Sequence, residues 1–376
     1  MISRQTLACV LFAAAAPAFA DAPLQQFVEQ AITQTRDSAG LPATAALVQI
    51  KGRIEAQAAS GKRALNQKPS VTTRDRWHIG SDTKAMTATL IARLVERGLV
   101  SFDSTLAQLF PGVAAGMNSQ LQGVTLRQLL THTAGLPALA DPREIADFDT
   151  VIGTRKSLRA QRAMVVAYYL RQPPASKVGE FAYSNLGYVI AGAVVESLTG
   201  DTWEDALRAE VWKPLGIVNA SFGAPGKRKK YDQPLGHVPA RGGLVALDVG
   251  DPKSDNPPAV GPAGTVNITL QDWMLFAQDQ LDGLHGHGKL LKPETYKLLH
   301  TPVKNRYAMG WGVLTEPNGD VSLLAHTGSN GYWVADLRIL PQQDVISIVV
   351  TNAGGEKAEK AVRDLSKYIT DRVAPN

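Results

Sequence analysis

A serine and a lysine three residues apart are the first residues of this chain that could do chemistry together. Ser81 and Lys84 lie at the start of a strong helical pattern that runs from Thr83 to Glu96. Side chains three residues apart on a helix share one face, with Cβ atoms about 5–6 Å apart. The amine can then take the hydroxyl proton, and free N–H groups at the helix start can stabilise an oxyanion. The alternative is a serine that only caps the helix and a lysine that is only solvated.

Two further groups of polar residues follow in the sequence. Tyr183 and Asn185 open another predicted helix about a hundred residues later, and the run from His326 to Ser329 ends a predicted strand near the C-terminus. Each has an ordinary structural explanation when taken separately. Tyr183 could be a packing aromatic, Asn185 a helix cap and His326 a strand histidine that hydrogen-bonds a neighbour.

Taken in order, Ser-x-x-Lys, Tyr-Ser-Asn and His-Thr-Gly resemble the motifs of the penicillin-recognising serine hydrolases. The third motif is most similar to that of soluble DD-carboxypeptidases, because class C β-lactamases carry Lys-Thr-Gly there. The run from Val124 to Leu136 is similar to the family's segment between the first two motifs. Later segments also resemble family landmarks, namely Gly261 to Gly264, Asp272-Trp273 and Met309 to Trp311. The resemblance therefore covers nearly the whole mature chain.

The resemblance implies a role for each residue of the first two motifs. Ser81 would attack a carbonyl carbon and form an acyl-enzyme. Lys84 and Tyr183 would handle its proton, with Tyr183 returning a proton to the leaving group, and Asn185 would position both Lys84 and the substrate amide. The chemistry needs a perturbed group, because a lysine or tyrosine acts as a base only when burial or a nearby cation lowers its pKa.

The resemblance also implies roles for the third motif, His326-Thr327-Gly328-Ser329. Thr327 and Ser329 would hydrogen-bond a substrate carboxylate, and the N–H groups of Ser81 and Ser329 would form the oxyanion hole. His326 replaces a lysine that would carry a permanent positive charge. With an ordinary pKa of about 6.5, a histidine is mostly uncharged at neutral pH. We therefore expect either weaker carboxylate binding or a substrate without a carboxylate.

The elements that must position these residues differ between the two ends and the middle of the chain. Both ends combine strands with one helix, over 24–38, 43–50 and 54–59 and over 307–314, 321–326, 332–340, 345–350 and 356–372. The middle is mainly helical, at 83–96, 126–130, 163–170, 186–198 and 270–281, with an irregular segment at 223–264. This pattern predicts an α/β fold, and the family resemblance implies that it is of the β-lactamase/transpeptidase type. Its antiparallel sheet domain (21–80 and 301–376) would be flanked by the terminal helices, and a mainly helical domain (81–300) would be inserted into it.

Residues 1–20 have the features of a secretory signal peptide. Arg4 precedes an apolar stretch from Leu7 to Ala16, and Ala18-Phe19-Ala20 resembles a signal peptidase site. The only cysteine, Cys9, lies inside this segment. We therefore expect a periplasmic or secreted protein that has neither disulfides nor a stable membrane anchor after cleavage.

Composition narrows the possible functions. The chain has 44% hydrophobic and 19% charged residues and a net charge of +5, which is typical of a globular protein. Its one basic run, Lys227 to Lys230, predicts a solvated loop, so nucleic acid is not an expected partner. His285 and His287 lack a nearby third ligand, and neither His-Glu-x-x-His nor Gly-x-Ser-x-Gly occurs. We expect no metal and no cofactor.

The sequence therefore predicts an exported serine hydrolase, with a DD-carboxypeptidase-like peptidase as the first hypothesis. The alternatives are an esterase or a β-lactamase that uses the same site. A third possibility, from another class, is a non-catalytic protein that binds cell-wall peptides or penicillins. The expected partner is a small peptide, β-lactam or ester substrate.

Overall fold

The computed structural model describes residues 23–153, 157–251 and 253–374. The predicted signal peptide at 1–20 lies outside the described residues. The helices are α1 (Leu24–Ala39), α2 (Thr83–Glu96), α3 (Leu106–Leu109), α4 (Pro111–Ala114), α5 (Ser119–Gln122), α6 (Leu126–Leu130), α7 (Pro142–Ile152), α8 (Leu158–Tyr169), α9 (Asn185–Thr199), α10 (Trp203–Leu207), α11 (Lys213–Leu215), α12 (Gly261–Gly264), α13 (Leu270–Leu284), α14 (Pro293–His300) and α15 (Glu356–Val373). Within the described residues, none of these helices is both long and apolar enough to cross a bilayer.

The strands form one large sheet and two small ones. They are β1 (Ala43–Ile50), β2 (Arg53–Gly61), β3 (Arg76–His78), β4 (Ala220–Phe222), β5 (His237–Ala240), β6 (Gly243–Ala246), β7 (Val266–Thr269), β8 (Gly312–Thr315), β9 (Val321–Ser329), β10 (Val334–Leu340) and β11 (Val345–Thr351). The large sheet is antiparallel, in the order β2-β1-β11-β10-β9-β8. The predicted antiparallel sheet built from both ends of the chain is therefore confirmed.

The terminal helices cover one face of this sheet, as the sequence predicted. Apolar side chains of α1, including Phe27 and Ile32, pack with Val362 and Ile369 of α15 against Val48 of β1. These side chains recur every three to four residues along their helices, which gives each helix one apolar stripe for the sheet.

The opposite face of the sheet shares a core with the helical part of the chain. Leu47 of β1 belongs to the same apolar cluster as Met86 and Leu90 of α2 and Val189 of α9. Helix α2, which starts just after Ser81, is buried along most of its length, so tertiary packing fixes the position of the serine. The domain boundaries drawn from the sequence, at 80/81 and 300/301, stay predictions.

Two predicted elements differ from the structure by more than a shift of the ends of a helix or strand. The segment 223–264 is not entirely irregular, because β5 and β6 form a hairpin within it. The strand predicted over 307–314 is shortened to Gly312–Thr315. The cause lies just before it, where Asn305 and Arg306 have positive φ and Gly310 packs against Ala85 of α2 with φ +84°. An extended strand cannot adopt this backbone conformation.

Candidate active site

Two glycines bring the first and third motifs into backbone contact. Ser81 lies in the short turn Gly80–Asp82 that leads into α2. Gly80 has φ +50°, and a Cβ added there would lie 2.5 Å from the Ser329 nitrogen. A Cβ added to Gly328 would lie 2.0 Å from the Ile79 carbonyl oxygen and 2.8 Å from the Ser81 nitrogen. Only glycine permits so close an approach, so the end of β9 lies directly beside the serine.

Lys84 is fully buried and holds the first two motifs together. Its Nζ lies 2.9 Å from Ser81 Oγ and donates hydrogen bonds of 2.7 Å to Asn185 Oδ1 and to the Ala263 carbonyl. Burial lowers the pKa of Lys84 well below its ordinary value, although the nearby Asp82 opposes this shift. Asn185 Oδ1 and the carbonyl can only accept hydrogen bonds, so they use two N–H groups of the amine. The lone pair of a neutral amine then faces the Ser81 hydroxyl.

Tyr183 lies beside the same serine, but its pKa shifts in the opposite direction to that of Lys84. Its ring centroid lies 4.9 Å from Lys84 Nζ, and its hydroxyl interacts with the Ser81 side chain. Burial raises the pKa of Tyr183 far above its ordinary value of about 10. Tyr183 is therefore a neutral hydroxyl that can donate a proton, whereas Lys84 has the lowered pKa of a base.

The position of Asn185 depends on the loop that carries His132. Ser184 caps α9, and its backbone N–H donates to His132 Nδ1 at 3.1 Å. The His132 ring lies 4.1 Å from the Tyr183 ring, centroid to centroid, and burial lowers the pKa of His132 well below its ordinary value. Asn185 also donates from Nδ2 to the Leu139 carbonyl at 3.2 Å. His132 is thus a neutral acceptor that packs against Tyr183 and holds the start of α9.

His326 is neutral near pH 7 and supplies no positive charge. The residue is 8% exposed, and its Nε2 lies 3.3 Å from the Tyr307 hydroxyl. Burial lowers the pKa of His326 to about 3. Its charge therefore does not change near pH 6.5.

Thr327 and Ser329 differ in what their hydroxyl groups can offer a substrate. Thr327 donates its hydroxyl proton to Asp336 on the neighbouring strand at 2.7 Å, so this proton is already used. Ser329 Oγ accepts a hydrogen bond from the Gly331 N–H at 3.0 Å and keeps its own proton to donate. Ser329 also lines the cleft at Ser81.

The cleft at Ser81 is small, about 40 Å³, and polar and apolar side chains share its lining. Side chains from α7 and from the segment before α12 supply much of its lining, including Ile145, Phe148, Pro257 and Val260. No lysine or arginine is among the described residues that line it. Sequence reasoning missed these walls, because neither α7 nor 256–260 carries a recognisable motif.

Within 23–153, 157–251 and 253–374, no group of three His, Cys, Asp or Glu side chains is arranged to hold a metal ion.

The chain is similar to known proteins of one family. The Beta-lactamase family model matches residues 28–369, and the chain belongs to this family, part of the serine penicillin-recognising superfamily. The chain is 30% identical over 326 residues to Penicillin-binding protein 4 of Amycolatopsis lactamdurans, covering 84% of this chain and 81% of that one. It is 23% identical over 351 residues to Protein flp of Staphylococcus aureus strain N315, covering 92% of this chain and 67% of that protein.

Solved structures support the fold. The chain superimposes on the crystal structure of SurE with a TM-score of 0.71 at 24% identity, covering 93% of this chain and 75% of the other. It matches an octameric penicillin-binding protein homologue from Pyrococcus abyssi with a TM-score of 0.71 at 22% identity, covering 90% and 77%. Members of the family are generally serine hydrolases.

Proposed function

We propose that the protein is an exported serine acyl-hydrolase in which Ser81 forms an acyl-enzyme. The observation that carries this proposal is the buried amine of Lys84, held 2.9 Å from Ser81 Oγ by two acceptors that leave its lone pair toward the hydroxyl. A binding protein has no need of a base next to a serine, so this arrangement argues against a non-catalytic role.

Acylation begins with proton transfer from Ser81 to the neutral Lys84. Ser81 Oγ attacks the carbonyl carbon, and the backbone N–H groups of Ser81 and Ser329 hold the resulting oxyanion. Tyr183 then gives its proton to the leaving amine or alcohol as the bond to the acyl carbon breaks, and Lys84 restores that proton. Water then hydrolyses the ester bond between the acyl group and Ser81, which releases the acid and regenerates the serine hydroxyl. Asn185 keeps Lys84 in place throughout this sequence.

The first substrate hypothesis is a D-Ala-D-Ala-like peptide. It is supported by the His-Thr-Gly motif and by the similarity to a protein named Penicillin-binding protein 4. In such a substrate, the free carboxylate would have to be held by Ser329 and backbone N–H groups, because His326 is neutral.

A second substrate class, a neutral ester or amide, is favoured by a specific observation. None of the described residues that line the cleft is a lysine or an arginine. A carboxylate that enters this cleft loses hydration without gaining a partner charge. An ester with an apolar acyl group avoids this cost.

Mass spectrometry of the protein with a labelled penicillin, a D-Ala-D-Ala peptide and a short-chain ester tests the proposal. We expect one acyl group on Ser81 and none in Ser81→Ala, which should fold normally and lose turnover. The exposed serine variant Ser38→Ala is the matched control and should label like the wild type. Near-normal turnover in Ser81→Ala, or an adduct on another residue, would contradict the proposal. The reagent that acylates fastest identifies the substrate class.

A further inference from the structure

Asp255 lies between two segments that are distant in sequence and both lead into the site. Its side chain is 10% exposed, and its Oδ2 lies 3.1 Å from His78 Nε2. Its Oδ1 accepts a hydrogen bond of 2.8 Å from Asn330 Nδ2 and one of 2.7 Å from the Asn256 N–H. One carboxylate therefore joins β3, the cleft wall and the loop after β9.

His78 connects Asp255 to the backbone just before the serine. The Gly80 N–H donates to His78 Nδ1 at 3.1 Å, so this nitrogen carries no proton. The proton of the neutral ring is then on Nε2, which donates to Asp255. The ring is fully buried and stacks on Trp333 at 5.4 Å between centroids. Asp255 thus holds Gly80, the residue that precedes Ser81.

Asn330 connects Asp255 to the backbone just after the third motif. Its Oδ1 accepts the N–H groups of Tyr332 and Trp333 at 3.1 and 3.2 Å, while its Nδ2 donates to Asp255. Both polar atoms of this side chain therefore form hydrogen bonds, the oxygen within the loop and the nitrogen to the carboxylate. Asp255 thus also holds Asn330, the residue that follows Ser329.

The two connections meet at the oxyanion hole. Ser81 and Ser329, whose N–H groups we assign to that hole, are each one residue away from an anchored residue. Their backbones are already in close contact through Gly80. We propose that Asp255 is a positioning residue that sets the separation and orientation of these two N–H groups. This inference rests on the proposed serine hydrolase function.

The position of Asp255 also connects the oxyanion hole to substrate contacts. Asn256 and Pro257, the next two residues, line the cleft. Displacement of this wall by a substrate would therefore act on His78 and Asn330 through the same carboxylate. Donors that contact an oxyanion must be held within a few tenths of an ångström to be effective.

The test compares an ester with its thionoester, in which sulfur replaces the carbonyl oxygen. Sulfur is larger and a weaker hydrogen-bond acceptor, so an intact oxyanion hole favours the ester, and a displaced one favours it less. We expect Asp255→Ala to lower kcat for the ester by about 10–100-fold, while KM stays within about threefold of the wild-type value. The variant should also have a lower ratio of kcat/KM for the ester to kcat/KM for the thionoester. Asn330→Ala, which removes one connection, should lower the same ratio by less.

Asp279→Ala is the matched control. Asp279 is also a buried carboxylate that accepts two backbone N–H groups and one side-chain hydroxyl, from Lys289, Leu290 and Tyr296. This variant should lose stability and keep the wild-type ratio. If Asp255→Ala fails to fold, the ester-to-thionoester ratio of Asn330→Ala tests the inference instead.

Three results are distinguishable. The inference is supported if the ester-to-thionoester ratio falls in the Asp255 and Asn330 variants but not in the Asp279 control. An active wild type whose ratio is unchanged in both variants overturns it and leaves the proposed function standing. A wild type that neither turns over the ester nor becomes acylated at Ser81 overturns the proposed function and, with it, the inference.

Discussion

The burial of His326 leads to a prediction about stability and pH. The folded protein keeps this ring neutral down to a pKa of about 3, whereas the unfolded chain takes up the proton near pH 6.5. Below pH 6.5 the unfolded state therefore binds more protons than the folded state. The sign follows from linkage: the free energy of unfolding falls as the pH falls, and the contribution of His326 is fully retained only above about pH 6.5.

The size of the effect follows from the two pKa values. For one group with pKa values of about 6.5 and about 3, the loss between pH 7.5 and pH 5 is about 2 kcal/mol. His326→Gln removes the titrating group. The difference in unfolding free energy between wild type and variant should therefore change by about 2 kcal/mol over that interval. Tyr307→Phe removes the hydroxyl beside His326 Nε2 and keeps the ring buried, so it should retain the wild-type slope.

Urea unfolding of the three proteins, from pH 5 to pH 8, measures this difference. The pH profile of kcat/KM for an acidic peptide and for a neutral ester provides a second measurement. We expect neither profile to contain a step near pH 6.5 that disappears in His326→Gln. Two results together would refute our reasoning: such a step for the acidic peptide only, and stability curves of wild type and His326→Gln that run parallel with pH. They would show that a charged histidine binds the substrate carboxylate.

Further predictions concern the serine and its surroundings. Lys84→Ala and Tyr183→Phe should each slow acylation of the serine by about 10²–10⁴-fold, as measured by time-resolved mass spectrometry. A loss under tenfold in either would remove that residue from proton transfer. Gly328→Ala should abolish acylation and lower Tm, because the added Cβ would lie 2.0 Å from the Ile79 carbonyl oxygen. Gly112→Ala, with nothing within 4 Å, is its control, and equal behaviour of the two would contradict the close approach.

Local sequence patterns predicted the elements that carry the site. Helix α2 has the predicted limits, and α9 differs from its prediction by one residue at each end. The motif ending in Ser329 does end a strand. These predictions succeeded because the signals that mark a helix or strand, apolar periodicity and flanking glycines, lie within a few residues of each other in the sequence. That the three motifs meet was predicted only from the family resemblance.

The protonation states could not be predicted in the same way. Lys84 and Tyr183 both lie beside Ser81, and either could be the base by residue type alone. Burial lowers the pKa of the amine and raises that of the phenol, so the same environment shifts the two pKa values in opposite directions. Burial is a property of the packed structure and is not contained in the spacing of the motifs.

Contacts between distant residues account for the rest of what the sequence analysis missed. His78 and Asp255 are separated by 177 positions, and no periodic pattern relates residues so far apart. The sequence does hold one signal in retrospect. His78 and Asn330 each lie next to a motif, and both can exchange hydrogen bonds with a carboxylate. That signal does not select Asp255 among the 34 aspartates and glutamates of the chain, because only the folded structure brings it to both partners. In our proposal, the segment 223–264 shapes the site through this one buried side chain.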